Sequence, residues 1–417
     1  MEIKMNKTFT KSQVKKQVRA ISSKSEAHRY LICAALADSP TEIICTDTNA
    51  DIDATASCLC ALGADIKRTE NGFLVTPISD LRSNQVLDCN ESGSTLRFML
   101  PLAASLGADC SFNMRGRLAS RPLSPLYEIL RDNGVALTPQ GENPLTIQGK
   151  FGAGNYTVAA NISSQYISGL LFALSVANGK STLALEGKIE SAPYIEMTVD
   201  ALQAFGAKID FDSKANCFTV EGQKKLHSPE KLTVGGDWSN AAFFLAAGAI
   251  GKNEVTVSGI SEKSRQGDRE IVAILEKMGA HTKHGDNEIT VYPSSLHGIE
   301  IDASQIPDLV PILATVASVA NGQTKICNAG RLRLKESDRI ESVCATLAAL
   351  GADIIATDDG MIINGKKYLR GGTVDSYNDH RIAMSAAIAS LVSTEGVTIT
   401  RFEAINKSYP TFAENFK

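Results

Sequence analysis

A junction of one kind recurs along this chain at an almost constant interval. A helix-like run ends in glycine, and β-branched or small residues follow. This happens at LGADI (Gly63), NGVAL (Gly134), FGAKI (Gly206), MGAHT (Gly279) and LGADI (Gly351), so the glycines lie 71, 72, 73 and 72 residues apart. Glycine after a helix is the usual left-handed stop, and the residues beyond it suit a strand. A second series interleaves with the first. Apolar, small-residue runs such as FMLPLAASLG, LLFALSVANG and AAFFLAAGAIG end at Gly107, Gly179, Gly251, Gly322 and Gly396, spaced 72, 72, 71 and 74, and LICAALADSP is an earlier member. Runs apolar on nearly all faces predict buried helices. Each period therefore holds one buried helix, one amphipathic helix and several short strands.

Six such units fit into 417 residues. Repeats on this scale bury surface against their neighbours, and six of them close either as one ring or as two lobes of three. A chain this long is too large for one ordinary core. The glycine pair in KLTVGGDWSN suits a hinge and sets the boundary near Val234 to Asp237. The first lobe is then 19–234, and the second is 1–18 with 235–417. MEIKMNKTF reads as a strand that pairs with the second lobe.

A formal net charge of −4 gives no reason to expect nucleic acid or an acidic membrane surface. No apolar stretch is long enough to span a bilayer, and the N-terminus lacks the apolar core of a secretory signal. Cytoplasm is the expected compartment. The nine cysteines, including the lone Cys58–Cys60 pair, are expected as reduced, buried thiols. His281 and His284 read as part of an exposed turn rather than a metal site.

Polar clusters precede the apolar helices. Ser23, Lys24 and Ser25 open one helix, with Arg29 a turn further on, where a cation can face the anion that a helix start attracts. Ser92, Gly93, Ser94 and Thr95 precede another, and Gly93 permits close backbone approach. Arg121 before Pro122 is an extended loop residue. Ser163, Ser164 and Gln165 open a third helix, and Ser191 a fourth. In the second lobe Asp308 is expected to cap a buried helix. Asp379, His380 and Arg381 head another, and Lys407 lies near the end. RLRLKESDRIES adds Lys335, Glu336 and Arg339, and a helix beginning near Glu336 would turn Lys335 and Arg339 to one side. Asp338 and Glu341 are expected to cap or to pair with neighbouring basics. The sequence holds no P-loop, no dinucleotide fingerprint and no zinc-protease motif. The residues suit phosphorylated or carboxylated small molecules held between lobes, with no metal or cofactor implied.

In order and spacing, SKSxxxR, SGSTLR, RP, SSQ, SxPY, IPD, LKESDR, NDHR and KSYP resemble the motifs of the 5-enolpyruvylshikimate-3-phosphate synthase family, the 3-phosphoshikimate 1-carboxyvinyltransferases. The resemblance covers essentially the whole chain. It implies an α/β (α+β) fold of two lobes, each of three βαβαββ units with buried helices. It implies addition–elimination between phosphoenolpyruvate and shikimate-3-phosphate, no cofactor and a monomer. Carried over position by position, Lys24, Ser25, Arg29, Ser163, Ser164, Gln165, Ser191, Asp308 and Lys335 match contacts to shikimate-3-phosphate. Lys24, Gly93, Arg121, Gln165, Arg339, Arg381 and Lys407 match contacts to phosphoenolpyruvate. Asp308, Glu336 and Lys24 match the proton-transfer groups. Glu91 stands where the family commonly has Asn. A carboxylate there would repel phosphoenolpyruvate, so Glu91 is expected to point away. Arg331 also replaces a frequent Asn and receives no role. The nearest rivals are a UDP-N-acetylglucosamine enolpyruvyl transferase, whose usual loop cysteine is missing from RGRLASRP, and a non-catalytic binder of phosphorylated metabolites.

Overall fold

A computed structural model describes residues 5–10 and 13–417. Its helices, in chain order, are α1 (Lys24–Ala35), α2 (Ala50–Leu62), α3 (Gly93–Leu106), α4 (Leu126–Arg131), α5 (Ser164–Val176), α6 (Ala192–Ala204), α7 (Trp238–Ile250), α8 (Ile271–Lys277), α9 (Val310–Ala317), α10 (Arg339–Ala349) and α11 (His380–Ala389). Two compact units divide them. The first is Ser22–Val234, and the second joins the residues up to Ile21 to Gly235–Lys417. The N-terminal border falls after Ile21 rather than after residue 18. Gln17–Arg19 pairs with Val255–Ser258, and the Ile21 carbonyl accepts the Asp237 amide at 2.8 Å, so these residues go with the second unit.

The glycine stops act as the period requires. Gly63, Gly134, Gly206, Gly279 and Gly351 all have positive φ, between 75° and 117°. The interleaved runs become α3, α5, α7, α9 and α11, and every residue of α9 and α11 is buried. One full repeat reads as strand Gln85–Asp88, α3, strand Cys110–Asn113, α4, then the hairpin Val135–Leu137 and Leu145–Gly149. Its first two strands are parallel, and the hairpin adds antiparallel on the far side. The sheets built on Tyr156 and on Ile326 follow the same order.

Two departures from a plain sixfold repeat stand out. At each passage between units the chain leaves a strand behind. Gln17–Arg19 completes a sheet of the second unit, and Lys231–Thr233 runs parallel to Thr41–Ile44 in the first. The sixth repeat is abbreviated to Gly372–Asp375, α11 and Val397–Thr400. Lys7–Phe9 takes the antiparallel place of the missing hairpin, so the N-terminal strand does pair within the second unit. Of the stretch read as that strand, residues 1–4 lie outside the described residues. The 3₁₀ turns after Thr400 pack Tyr409 and Phe412 on Phe244 of α7.

HTKHG is an exposed hairpin strand rather than a turn. It alternates against Glu288–Tyr292, and His284 bonds Glu262 and Glu276. All nine cysteines are free, but Cys60, Cys217 and Cys327 are only half-buried. Among the described residues no helix is long and apolar enough to cross a membrane.

Repeat-related glycines set how closely strands approach helix ends. A Cβ on Gly222 would lie 1.7 Å from the Ala177 carbonyl oxygen, and one on Gly365 would lie 1.5 Å from that of Ala320. Backbone atoms cannot swing aside as a side-chain tip can. Gly365→Ala is therefore expected to cost about 2 kcal/mol or more. A fall in the urea midpoint at unchanged m-value checks this, and an unchanged midpoint would contradict it.

Candidate active site

In the first unit the polar clusters sit on helix N-termini, where unsatisfied backbone amides favour negative charge. Ser23 caps α1, Ser92 caps α3 and Ser163 caps α5, their hydroxyls accepting from Glu26, Thr95 and Gln165 amides. Lys24, Ser25 and Gly93 therefore lie in the first helical turns rather than before them. Ser191 precedes α6 with φ 53°, and its side chain makes no capping bond. A non-glycine residue there is strained.

Arg29 is buried and donates only to neutral acceptors. Nε reaches Thr198 Oγ1 (2.8 Å), NH1 the Ser25 carbonyl and NH2 the Tyr194 carbonyl (both 2.7 Å). Burial lowers its pKa to about 10. These bonds tie α1 to α6, and Gln165 Nε2 to Ser94 Oγ (2.9 Å) ties α5 to α3. Lys24 Nζ is held by Asp51 at 2.8 Å.

Gly93 lies under two guanidiniums. A Cβ built on it would be 2.6 Å from NH1 of Arg121 and 2.7 Å from NH1 of Arg97. Arg121 is extended, as expected before Pro122. Arg97 also donates to the Pro122 carbonyl at 2.9 Å. Pro101 within α3 cannot donate to the Arg97 carbonyl. Gly169 of α5 comes against that oxygen, 2.2 Å from where its own Cβ would be. Sequence reasoning missed Arg97 and Asp51. Arg97 stands four residues after Gly93, so the i,i+4 argument applied to Arg29 would have found it. Asp51 carries no such signal. Glu91 turns toward the Gly116 backbone, where its Oε2 would lie 2.4 Å from an added Cβ.

The second unit gathers three acids and three cations. Arg339, 1% exposed in its side chain, bonds Asp308 (2.8 Å), Glu336 (2.7 Å) and Asp379 (2.8 Å). Asp308 also takes Arg381 NH2 at 2.9 Å and Lys335 Nζ at 3.6 Å. Lys407 Nζ donates to the Asn378 carbonyl at 2.6 Å. Arg331 NH2 donates to the Ser304 carbonyl at 2.7 Å, an internal contact.

Two expectations are corrected here. Asp308 is not a helix cap. Pro307 opens a 3₁₀ turn, Pro307–Leu309, and Leu309 precedes α9, so the Asp308 carboxylate is left for the cations. Nor do Lys335 and Arg339 share a helix. Asp338 caps α10, which begins at Arg339, while Lys335 ends a preceding 3₁₀ turn. Both side chains reach Asp308 all the same. Asp338 and Glu341 pair with Arg333 at 3.0 Å each, as expected.

Burial pushes the Asp308 carboxyl up, but Arg381, Lys335 and Arg339 outweigh it and hold the group well below the usual range. Burial brings Lys335 down to about 8, against the raising effect of Asp308. Asp268, which sequence reasoning missed, is buried against Ser239, and burial, then the charge of Asp308, pushes its carboxyl up to about 6.

A family model described as EPSP synthase (3-phosphoshikimate 1-carboxyvinyltransferase) matches residues 9–416. The chain belongs to the EPSP synthase family. A relative from Clostridium kluyveri, named 3-phosphoshikimate 1-carboxyvinyltransferase, is 42% identical over 403 residues, covering 96% of this chain and 94% of its own. One of the same name from Clostridium novyi is 41% identical over 417 residues, covering 97% and 95%. The solved EPSP synthase of Acinetobacter baumannii superposes with a TM-score of 0.79 at 25% identity, covering 99% of this chain and 97% of that one. The enolpyruvyl transferase NikO of Streptomyces tendae, at 18% identity and TM-score 0.78 over 99% and 96% of the chains, shares the fold.

The Lys335 shift has a direct chemical readout. With its pKa lowered by burial, far more of its amine is neutral at pH 8 than that of an ordinary lysine. A limiting amount of an amine-acylating reagent at pH 8 should modify Lys335 ahead of the surface lysines, as read by peptide mass spectrometry. Labelling no faster than that of exposed Lys208 would refute the shift.

Proposed function

We propose that the chain transfers the enolpyruvyl group of phosphoenolpyruvate to the 5-hydroxyl of shikimate-3-phosphate and releases phosphate, the reaction that names its relatives. This is a step toward chorismate and the aromatic amino acids. The observation that carries the reading is the match over residues 9–416, with Lys24 held by Asp51, and Asp308 and Glu336 set against cations.

The chemistry explains the residue types. Two phosphates and two carboxylates must be brought together, and arginine binds both groups through paired N–H donors. Ser25, Arg29, Ser163, Ser164, Gln165, Ser191 and Lys335 are assigned to shikimate-3-phosphate. Gly93, Arg121, Arg339, Arg381 and Lys407 are assigned to phosphoenolpyruvate, with Lys24 and Gln165 serving both. In the addition, the 5-hydroxyl oxygen bonds to C2, its proton passes to Asp308, and C3 gains a proton from Lys24 or Glu336. In the elimination, C3 loses a proton, the C2–O bond to phosphate breaks and the cations stabilise the departing phosphate. The same reading takes the chain to be cytoplasmic and monomeric.

A coupled assay should detect phosphate release from phosphoenolpyruvate only when shikimate-3-phosphate is supplied. Release with UDP-N-acetylglucosamine alone would reassign the acceptor, and none with either would leave a binding protein.

Glyphosate should compete with phosphoenolpyruvate beside Gly93. An alanine Cβ there first meets the guanidinium ends of Arg121 and Arg97, which can shift where backbone cannot, so the fold should persist while the pocket narrows. Gly93→Ala is expected to raise the inhibitory concentration of glyphosate by on the order of tenfold more than the KM for phosphoenolpyruvate. Equal inhibition of both forms would remove Gly93 from that place.

A further inference from the structure

We propose that His28 is a positioning residue for the Gly93 helix start, acting through a buried hydroxyl relay. The proposal rests on the functional reading above for its kinetic consequence, though not for its structural one. His28 lies on α1, four residues past Lys24 and one before Arg29, and is 1% exposed. Its Nδ1 is 2.7 Å from Thr55 Oγ1 of α2, which is 2.7 Å from Thr95 Oγ1 of α3. Thr95 in turn donates to Ser92 Oγ at 2.8 Å, the hydroxyl that caps α3 immediately before Gly93. Thr55, Thr95 and Ser92 are all fully buried.

The relay has one direction. Ser92 Oγ accepts from Thr95, so the Thr95 proton is spent there. Thr95 then accepts from Thr55, and Thr55 accepts from His28. The His28 proton therefore sits on Nδ1. Nε2 is left as a bare acceptor with no hydrogen-bond partner among the described residues. It lies in an apolar setting, the ring packing edge-on to Phe98. Burial, and then the charges of Lys24 and Arg29, hold the ring neutral. Thr95 Oγ1 also lies 3.4 Å from the Asp51 carbonyl, and Asp51 holds Lys24. One polar strut thus fixes the helix carrying Lys24 and Arg29 relative to the helix start carrying Gly93, with α2 as the bridge. Nothing in the reaction requires His28 to touch substrate. Its task is to deliver one N–H at the Nδ1 position.

That requirement separates the two amides. An Asn side chain places an N–H close to Nδ1, whereas Gln places it near Nε2, where no acceptor waits. His28→Gln and His28→Leu are expected to lower kcat/KM for phosphoenolpyruvate roughly tenfold, by displacing Gly93 and its arginines. His28→Asn should recover most of that loss. Equal loss in all three variants, or loss in none, would overturn the proposal. A double-mutant cycle in urea with His28→Leu and Thr95→Val tests the strut without turnover. Non-additive midpoint changes support it, and additive ones overturn it whatever the kinetics show. Coupling intact in a chain that never turns over would instead refute the functional reading alone.

Discussion

A guanidinium sealed from water is costly unless its donors are satisfied and its charge is met. Arg339 meets that demand with carboxylates from three different helix starts. Asp308 comes from the turn before α9, Glu336 from the turn before α10, and Asp379 from the cap of α11. Asp379 also accepts the Arg381 amide and the Ser337 hydroxyl, so the cap and the ion pair share one residue. Burial alone would lower the Arg339 pKa, but the three acids raise it above the ordinary value. One side chain therefore fixes where the charged ends of three helices stand. The apolar length of α9 and α11 can be buried all round because their polar requirements are concentrated at that end.

The first unit solves the same problem with different material. Arg29 is satisfied by two carbonyls and a hydroxyl, and Arg97 by the carbonyls of Gly93 and Pro122. Dipoles satisfy hydrogen bonds without cancelling charge, and burial accordingly lowers the Arg29 pKa to about 10. In the second unit Arg339, Arg381 and Lys335 pair instead with carboxylates. Two halves built on one repeat thus bury their arginines differently, Arg29 among dipoles and Arg339 among carboxylates.

Much of this was legible in the sequence for local reasons. A glycine that must adopt positive φ after a helix announces itself, and five of them at even spacing disclosed the repeat. Ser and Asp at helix caps placed Ser163 and Asp379 correctly, because capping is decided within three or four residues. The strand left behind at each passage between units was not legible, since pairing with a strand as remote as Glu42 is from Lys231, or Gln17 from Thr256, leaves no local mark. Asp308 was misplaced because Pro307 and Pro311 permit a 3₁₀ turn before the helix, and composition alone does not say which residue ends it. Asp51, Asp268 and the His28 relay escaped because single buried polar residues acquire meaning only from partners on other helices.

Asp308 shows how the two charge patterns bear on the proposed reaction. A carboxylate bound by two guanidiniums and an ammonium is a weak base, and here its pKa is driven down by those cations. To accept the proton of the 5-hydroxyl, some of that positive charge has to be drawn elsewhere. Under the proposed assignment phosphoenolpyruvate would bring anionic groups to Arg339 and Arg381, and shikimate-3-phosphate would bring them to Lys335. In that account each substrate anion that takes a cation from Asp308 raises its basicity, so the base strengthens only when there is a hydroxyl to deprotonate. The ion pairs within the chain neutralise cations that would otherwise be buried without counter-charge.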